Sequence, residues 1–267
     1  MRWPWSGHDE QQKKDVASES TTSWAHTLLQ PRTLIPSVAL TVSTVLGLRL
    51  YKAYFRRIPT VNHIKPDYFR RRSLFGQVTS VGDADNFRLY HTPGGRLAGW
   101  GWLPWKTVPT KRDALVKQTL HIRIAGVDAP ELAHWGREAQ PYSKEALDWL
   151  TNLILNRRVR VQLYRRDQYD RVVAQVYYRK WFFKQDVGLE MLKMGLATVY
   201  EAKTGAEFGD VEQQYRAAEE KARESRVGMW TKPSLMQRLG GAGTKASESP
   251  REYKSRHTAA DKQKKAG

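Results

Sequence analysis

Residues 120–131 read Leu-His-Ile-Arg-Ile-Ala-Gly-Val-Asp-Ala-Pro-Glu. Three apolar residues, Leu120, Ile122 and Ile124, alternate with two basic ones, His121 and Arg123. A period of two sends successive side chains to opposite faces of a strand, so the apolar set is expected in a core and the basic pair on the other face. The strand then runs into a loop broken by Pro130 and bearing two carboxylates, Asp128 and Glu131. One short stretch therefore predicts part of a sheet and, just beyond it, a place for chemistry.

The same reading extends outward. Val159, Val161 and Leu163 alternate with Arg158, Arg160 and Gln162, and Arg171 to Tyr178 is rich in Val and Tyr, so both read as strands. Shorter strands are expected around Phe75–Ser80 and Asn86–His91. Helical spacing takes over elsewhere. Ala146, Leu147, Leu150, Leu153 and Ile154 form an amphipathic stripe that starts near Pro141 and Ser143. Val187 to Met194 reads as a short helix with Asp186 as N-cap and Gly195 as stop. Val211, Tyr215, Ala218 and Ala222 mark one side of a charged helix ending before Gly228. Strands, helix, strands, helix, helix is the order of a small α+β barrel carrying helices. The interruption between Tyr90 and Gln118 holds Trp100, Trp102 and Trp105 among Gly and Pro. Those rings could stack bases or patch the barrel surface.

Charge divides the chain further. The 267 residues carry 45 Lys and Arg against 27 Asp and Glu, a formal net charge of +18. Such an excess points to a polyanionic partner, nucleic acid or an anionic membrane. The absence of cysteine excludes disulfide frameworks, thiolate zinc sites and a cysteine nucleophile. Thr33 to Leu48 has no charged residue, whereas residues 49–73 carry eight basic side chains against Asp67 alone. Sixteen helical residues rise about 24 Å, and Arg49 and Lys52 can snorkel to lengthen the span. A single transmembrane anchor is expected at 33–55, preceded by a polar segment (1–32) and followed by a basic juxtamembrane linker (56–73) that could meet anionic headgroups. A globular domain follows at 74–239. The tail, 240–267, is Gly, Ser, Ala and Lys with little to bury and reads as disordered.

Three clusters on expected turns combine acids with bases: Val81 to Asn86 (V-G-D-A-D-N), Arg123 to Glu131 (R-I-A-G-V-D-A-P-E) and Arg166 to Arg171 (R-D-Q-Y-D-R). Carboxylates on loops suit a hard cation such as Ca²⁺, and arginines suit phosphate. Singly, each is an ordinary turn. Together and in this order, with the helix at Asp186–Tyr200 and the terminal Gly228–Trp230, they make the chain resemble the thermonuclease, or staphylococcal-nuclease-like, family over about Phe75 to Lys232. With its apolar segment, basic collar and tryptophan-rich insertion, it is similar to the membrane-anchored fungal endonucleases of that family, which implies a mitochondrial membrane.

The resemblance implies an OB-type five-stranded β-barrel with three helices. It implies cleavage of DNA or RNA phosphodiesters with little base specificity and 3′-phosphate ends. Glu131 matches the carboxylate that orients or deprotonates the attacking water, and Arg123 and Arg171 match the guanidiniums on the scissile phosphate. Asp128 and Asp85 match the Ca²⁺ carboxylates, with the Ala129 carbonyl as a further ligand. Two departures stand out: Ala129 replaces the family's Thr, and D-A-D-N replaces D-G-D-T in the first turn. A rival from another class is a non-catalytic nucleic-acid-binding barrel, which would be expected to lose Glu131, Arg123 or Arg171. All three are present. Other enzyme templates, H-E-x-x-H, G-x4-G-K-[ST] and G-x-S-x-G, are absent.

Overall fold

Between Leu120 and Ile124 burial alternates as the apolar pattern requires, with Leu120, Ile122 and Ile124 in the core and His121 and Arg123 half-buried. The computed structural model describes residues 30–133, 138–201, 207–231, 249–253 and 255–256. The chain divides into two compact units, Met1–Arg56 and Arg57–Gly267.

In the first unit, helix α1 (Pro31–Leu50) continues into a wider turn at Tyr51–Phe55 and buries none of its side chains. Pro31 opens it, where a missing N–H costs nothing. The hydroxyls of Ser37, Thr41 and Thr44 donate to carbonyls one turn back, at 2.7–2.8 Å. Its few polar side chains are thus satisfied within the helix. At 1.5 Å per residue the 25 residues from Pro31 to Phe55 rise about 37 Å. The helix is longer than its uncharged stretch because Arg49 and Lys52 do not end it. Among the described residues it is the one helix long and apolar enough to cross a membrane. The polar segment expected before it lies, up to residue 29, outside the described residues, as does most of the basic tail.

The second unit is mixed α+β. Its strands are β1 (Ser73–Asp83), β2 (Asn86–His91), β3 (Leu120–Ile124), β4 (Val127–Asp128), β5 (Arg158–Arg166), β6 (Val172–Lys180), β7 (Phe183–Asp186) and β8 (Thr198–Val199). Six form one sheet in the order β3-β2-β1-β5-β6-β7, and β4 pairs separately with β8. β3 also pairs with β6, in parallel, setting Ile122 beside Val172 and Arg123 beside Val173. Register irregularities in β1, at Val78/Ser80 and Val81/Asp83, and in β5, at Leu163/Arg165, let these long strands bend.

Helices in this unit include α2 (Ser143–Ile154), α3 (Val187–Lys193) and α4 (Glu212–Glu224). The stripe of α2 buries Ala146, Leu150 and Ile154. Asp186 caps α3, its Oδ1 accepting from Leu189 N–H at 3.2 Å, and also accepts from Tyr215 and Gln175 side chains. Gly195 stops α3 with φ +62°, and a Cβ there would stand 2.1 Å from the Val227 carbonyl oxygen. Compared with five strands and three helices, the structure adds β7 at the edge, the two-residue pair β4–β8 and a single helical turn at Arg112–Leu115.

Of the stretch expected as a linker (56–73), the residues from Arg57 onward belong to this unit. Ile58, Val61, Ile64 and Tyr68 are buried in the same core as Val78, Phe87 and Ile122. Arg57 bonds the Gln118 carbonyl and side chain and lies 3.8 Å over the Tyr90 ring. In the tryptophan insertion, Trp100 is buried against Tyr90 and donates to the Pro93 carbonyl, whereas Trp102 and Trp105 are exposed.

Candidate active site

The β2–β3 register places Asn86 opposite Arg123, and Ile124 N–H donates to the Asp85 carbonyl at 2.9 Å. Asp85, one residue before the strand, is thereby set beside the Arg123 guanidinium, with Oδ2 3.2 Å from Nη2. A second carboxylate arrives from the far side of the turn at Ala125–Gly126. Asp128 faces Thr198 in the β4–β8 ladder, its carbonyl accepts from the Thr198 hydroxyl at 3.3 Å, and its Oδ1 stands 3.4 Å from the same Nη2. The turn needs Gly126: φ is +74°, and a Cβ would meet the Phe208 ring at 2.7 Å. Burial alone would pull the Arg123 pKa down, but Asp85 and Asp128 outweigh it and the pKa is raised. The Tyr200 ring lies 5.2 Å from the guanidinium.

Arg171 comes from the residue just before the neighbouring strand β6. Arg123 stands beside Val173 in the parallel β3–β6 pairing, and two residues back along a strand is the same face. Arg171 is two residues before Val173, so both arginines rise from one side of the sheet. Asp167 holds Arg171 there. It accepts the Arg171 Nε–H at 2.7 Å on Oδ2 and the backbone N–H groups of Arg171 and Tyr169 at 2.9 and 2.8 Å on Oδ1. Asp170 takes φ +59° to close this turn, a conformation aspartate tolerates. Burial would raise the Asp167 pKa, and these hydrogen bonds outweigh it and lower it.

Arg123 and Arg171 line one cleft of about 260 Å³, with Arg165, Tyr169, Tyr200 and Glu207 among its walls. Each guanidinium has an aromatic ring 5.2 Å away, Tyr200 beside Arg123 and Tyr169 beside Arg171, so the cleft combines the groups suited to a phosphate with rings suited to a base. Glu131 follows β4 and is half-buried, outside the lining of this cleft. Gln140, which is buried, holds its main chain: Glu131 N–H donates to Gln140 Oε1 at 2.8 Å, and Gln140 N–H donates to the Glu131 carbonyl at 2.9 Å. Ala129 is buried between the two acids.

The acids also bear on the metal that the resemblance implies. Asp85 and Asp128 are buried and share one guanidinium nitrogen, so the trio carries one net negative charge. Among the described residues no group of three or more His, Cys, Asp or Glu is placed to hold an ion. Two carboxylates completed by main-chain carbonyls and water suit a hard, oxygen-seeking cation such as Ca²⁺ rather than zinc. The donor set fits.

The structure thus brings Arg123, Asp85 and Asp128 into contact and puts Arg123 and Arg171 in one cleft. Asp167 belongs to the R-D-Q-Y-D-R turn with no role expected of it, and its place four residues before Arg171 is the signal for one. Gln140 carries no such signal, because it stands nine residues from Glu131 with no period or motif linking the two.

The chain matches the family described as staphylococcal nuclease homologue over residues 121–232. It is 80% identical to a protein of Leptosphaeria maculans named probable endonuclease LCL3, over 100% of this chain and 99% of that one. It is 75% identical to probable endonuclease lcl3 of Pyrenophora tritici-repentis, over the whole of both chains. A third protein of the same name, from Phaeosphaeria nodorum, is 64% identical over 99% of this chain and 100% of its own.

Proposed function

From the premise that this chain belongs to the staphylococcal nuclease family, we propose that it is a membrane-anchored, Ca²⁺-dependent endonuclease that hydrolyses DNA or RNA with little sequence specificity. The observation that carries this reading is the convergence of Arg123 and Arg171 on one cleft, each held by carboxylates. The phosphodiester lies against both guanidiniums, which bind its non-bridging oxygens and stabilise the negative charge that builds on them during attack. Because they read phosphate, sequence preference is slight. Glu131 accepts the proton of the attacking water. Asp167 keeps Arg171 aimed into the cleft, and Asp85 and Asp128 do the same for Arg123. Asp85, Asp128 and the Ala129 carbonyl would hold Ca²⁺, which when bound supplies Lewis acidity toward the phosphate.

In this reading β1, β2, β3, β5 and β6 make an OB-type five-stranded barrel, and the parallel β3–β6 pairing, which joins the two ends of that series, supports it. Pro31–Phe55 is the anchor, the Arg-rich residues after it meet anionic headgroups, the nuclease domain follows, and the membrane is mitochondrial. The full chain with Ca²⁺ is expected to degrade single-stranded DNA and to stop when a chelator is added. Failure to cleave DNA or RNA under any calcium concentration refutes the enzymatic reading. Release of the chain by alkaline carbonate refutes the anchor.

A further inference from the structure

The hairpin joining β6 to β7 ends in Lys180-Trp181-Phe182-Phe183-Lys184. Lys180 pairs with Phe183, leaving Trp181 and Phe182 as a two-residue turn. Trp181, Phe182 and Phe183 are 83%, 88% and 71% exposed. Large aromatics are rarely displayed together in this way without a surface to meet. The turn chemistry sharpens the point. Trp181 has φ +55°, a left-handed conformation that two-residue hairpins ordinarily give to Asn or Gly. Fold stability alone would not place a tryptophan there, so its presence favours a role for the exposed ring.

The tip is rimmed by cations. Arg179, Lys180 and Lys184 flank it in sequence, and Lys184 Nζ lies 3.4 Å from the centre of the Tyr177 ring. At its foot an open cleft of about 420 Å³ is lined by Arg157, Arg158 and Arg179 with Gln77, Asn156 and Tyr178. Strand pairing assembles this cleft, since Val159 faces Tyr178 and so brings the start of β5 to the end of β6. A convex apolar tip above a basic cleft matches the layering of an anionic bilayer, acyl chains beneath phosphates. A nucleic-acid strand instead follows a basic groove in which bases stack one after another. The cleft holding Arg123 and Arg171 lies at the opposite end of β6, about 25 Å away at the rise of a strand.

We propose that the Trp181–Phe183 tip inserts into the headgroup–acyl boundary of an anionic membrane, with lipid phosphates taken by Arg157, Arg158 and Arg179. The membrane contact is then made by the catalytic domain itself, and it leaves the nuclease cleft facing away from lipid. This goes beyond the anchor reading and stands on different residues.

The test uses the absence of cysteine, which makes a single introduced thiol unique. Phe182→Cys in the full chain is labelled with the polarity-sensitive dye NBD and reconstituted into phosphatidylcholine vesicles with and without phosphatidylglycerol. Gln168→Cys, exposed in the turn at the opposite end of β6, serves as the aqueous reference. The expected result is a blue-shifted emission at 182, protected from iodide and quenched by nitroxide lipid, in the anionic vesicles. Arg157→Glu with Arg179→Glu should return the signal toward that in neutral vesicles. Emission at 182 that matches position 168 in every vesicle overturns the proposal, even if the chain resists carbonate extraction and so keeps its anchor. A shift in anionic vesicles from a chain that carbonate releases upholds the tip and sinks the anchor. A shift seen only on adding an oligonucleotide also overturns the proposal, in favour of nucleic acid.

Discussion

Asp85 Oδ2 lies 3.2 Å from Arg123 Nη2, an ion pair that joins the turn before β2 to the neighbouring strand β3. The same carboxylate is asked to hold an arginine and to face a cation, so its removal has a double signature. Asp85→Asn is expected to lower the cleavage rate about 10- to 100-fold and to raise the calcium concentration needed for half-maximal rate. Both are read from one calcium titration of DNA cleavage. An unchanged calcium requirement would remove Asp85 from the metal site.

Asp167 touches Arg171 rather than the substrate, so its effect should travel through that arginine. Asp167→Asn is expected to cut the cleavage rate about 10- to 100-fold. The same variant tests a linkage. A carboxylate with a folded pKa below its ordinary value of 3.8 stabilises the protein above that pH and loses the contribution as pH falls further. Wild type should therefore lose more stability than Asp167→Asn in acid titrations below about pH 4.

Two histidines give the fold a second acid response. Burial, with Arg57 nearby, lowers the His91 pKa to about 4, and His91 Nδ1 accepts the Ile58 N–H at 2.9 Å. Burial, then Arg88 and Arg171, lowers that of His121 to about 4 as well, against the opposing pull of Asp167 and Asp85. Both are neutral in the fold and take up protons on unfolding below 6.5. Their contribution is full above pH 6.5 and declines as pH falls toward 4. Denaturant unfolding at several pH values should show this decline, and it should flatten in a His91→Asn, His121→Asn double variant.

Legibility followed the range of the forces involved. The alternation at Leu120–Ile124 and the stripe ending at Ile154 marked their elements because period and burial are local properties. β4 and β8 were invisible, since two residues carry no period and their pairing joins Asp128 to Thr198 across the chain. The site divided in the same way. Arg123 and Asp128 lay in one quoted stretch, and motif order supplied Arg171 and Asp85. Asp167 and Gln140 act by hydrogen bonds to neighbours, which residue types alone do not announce. Ile58, Val61, Ile64 and Tyr68 lie within the basic stretch, and their burial is not legible because their spacing is irregular and that burial depends on the rest of the core.

That last point predicts where the domain begins. A fragment starting at Arg57 should be more stable than one starting at Leu74, because removing Ile58, Val61, Ile64 and Tyr68 uncovers the core they pack against. Denaturant unfolding of the two fragments measures the difference, and equal stability would return residues 57–73 to the status of a linker.

The general-base role proposed for Glu131 carries the enzymatic reading. It is tested most directly by single-turnover cleavage of a labelled single-stranded DNA in Ca²⁺, comparing the full chain with Glu131→Gln while oligonucleotide affinity is measured in parallel. The account predicts a rate lower by about 10²- to 10⁴-fold with affinity retained. Undiminished cleavage by Glu131→Gln would contradict it.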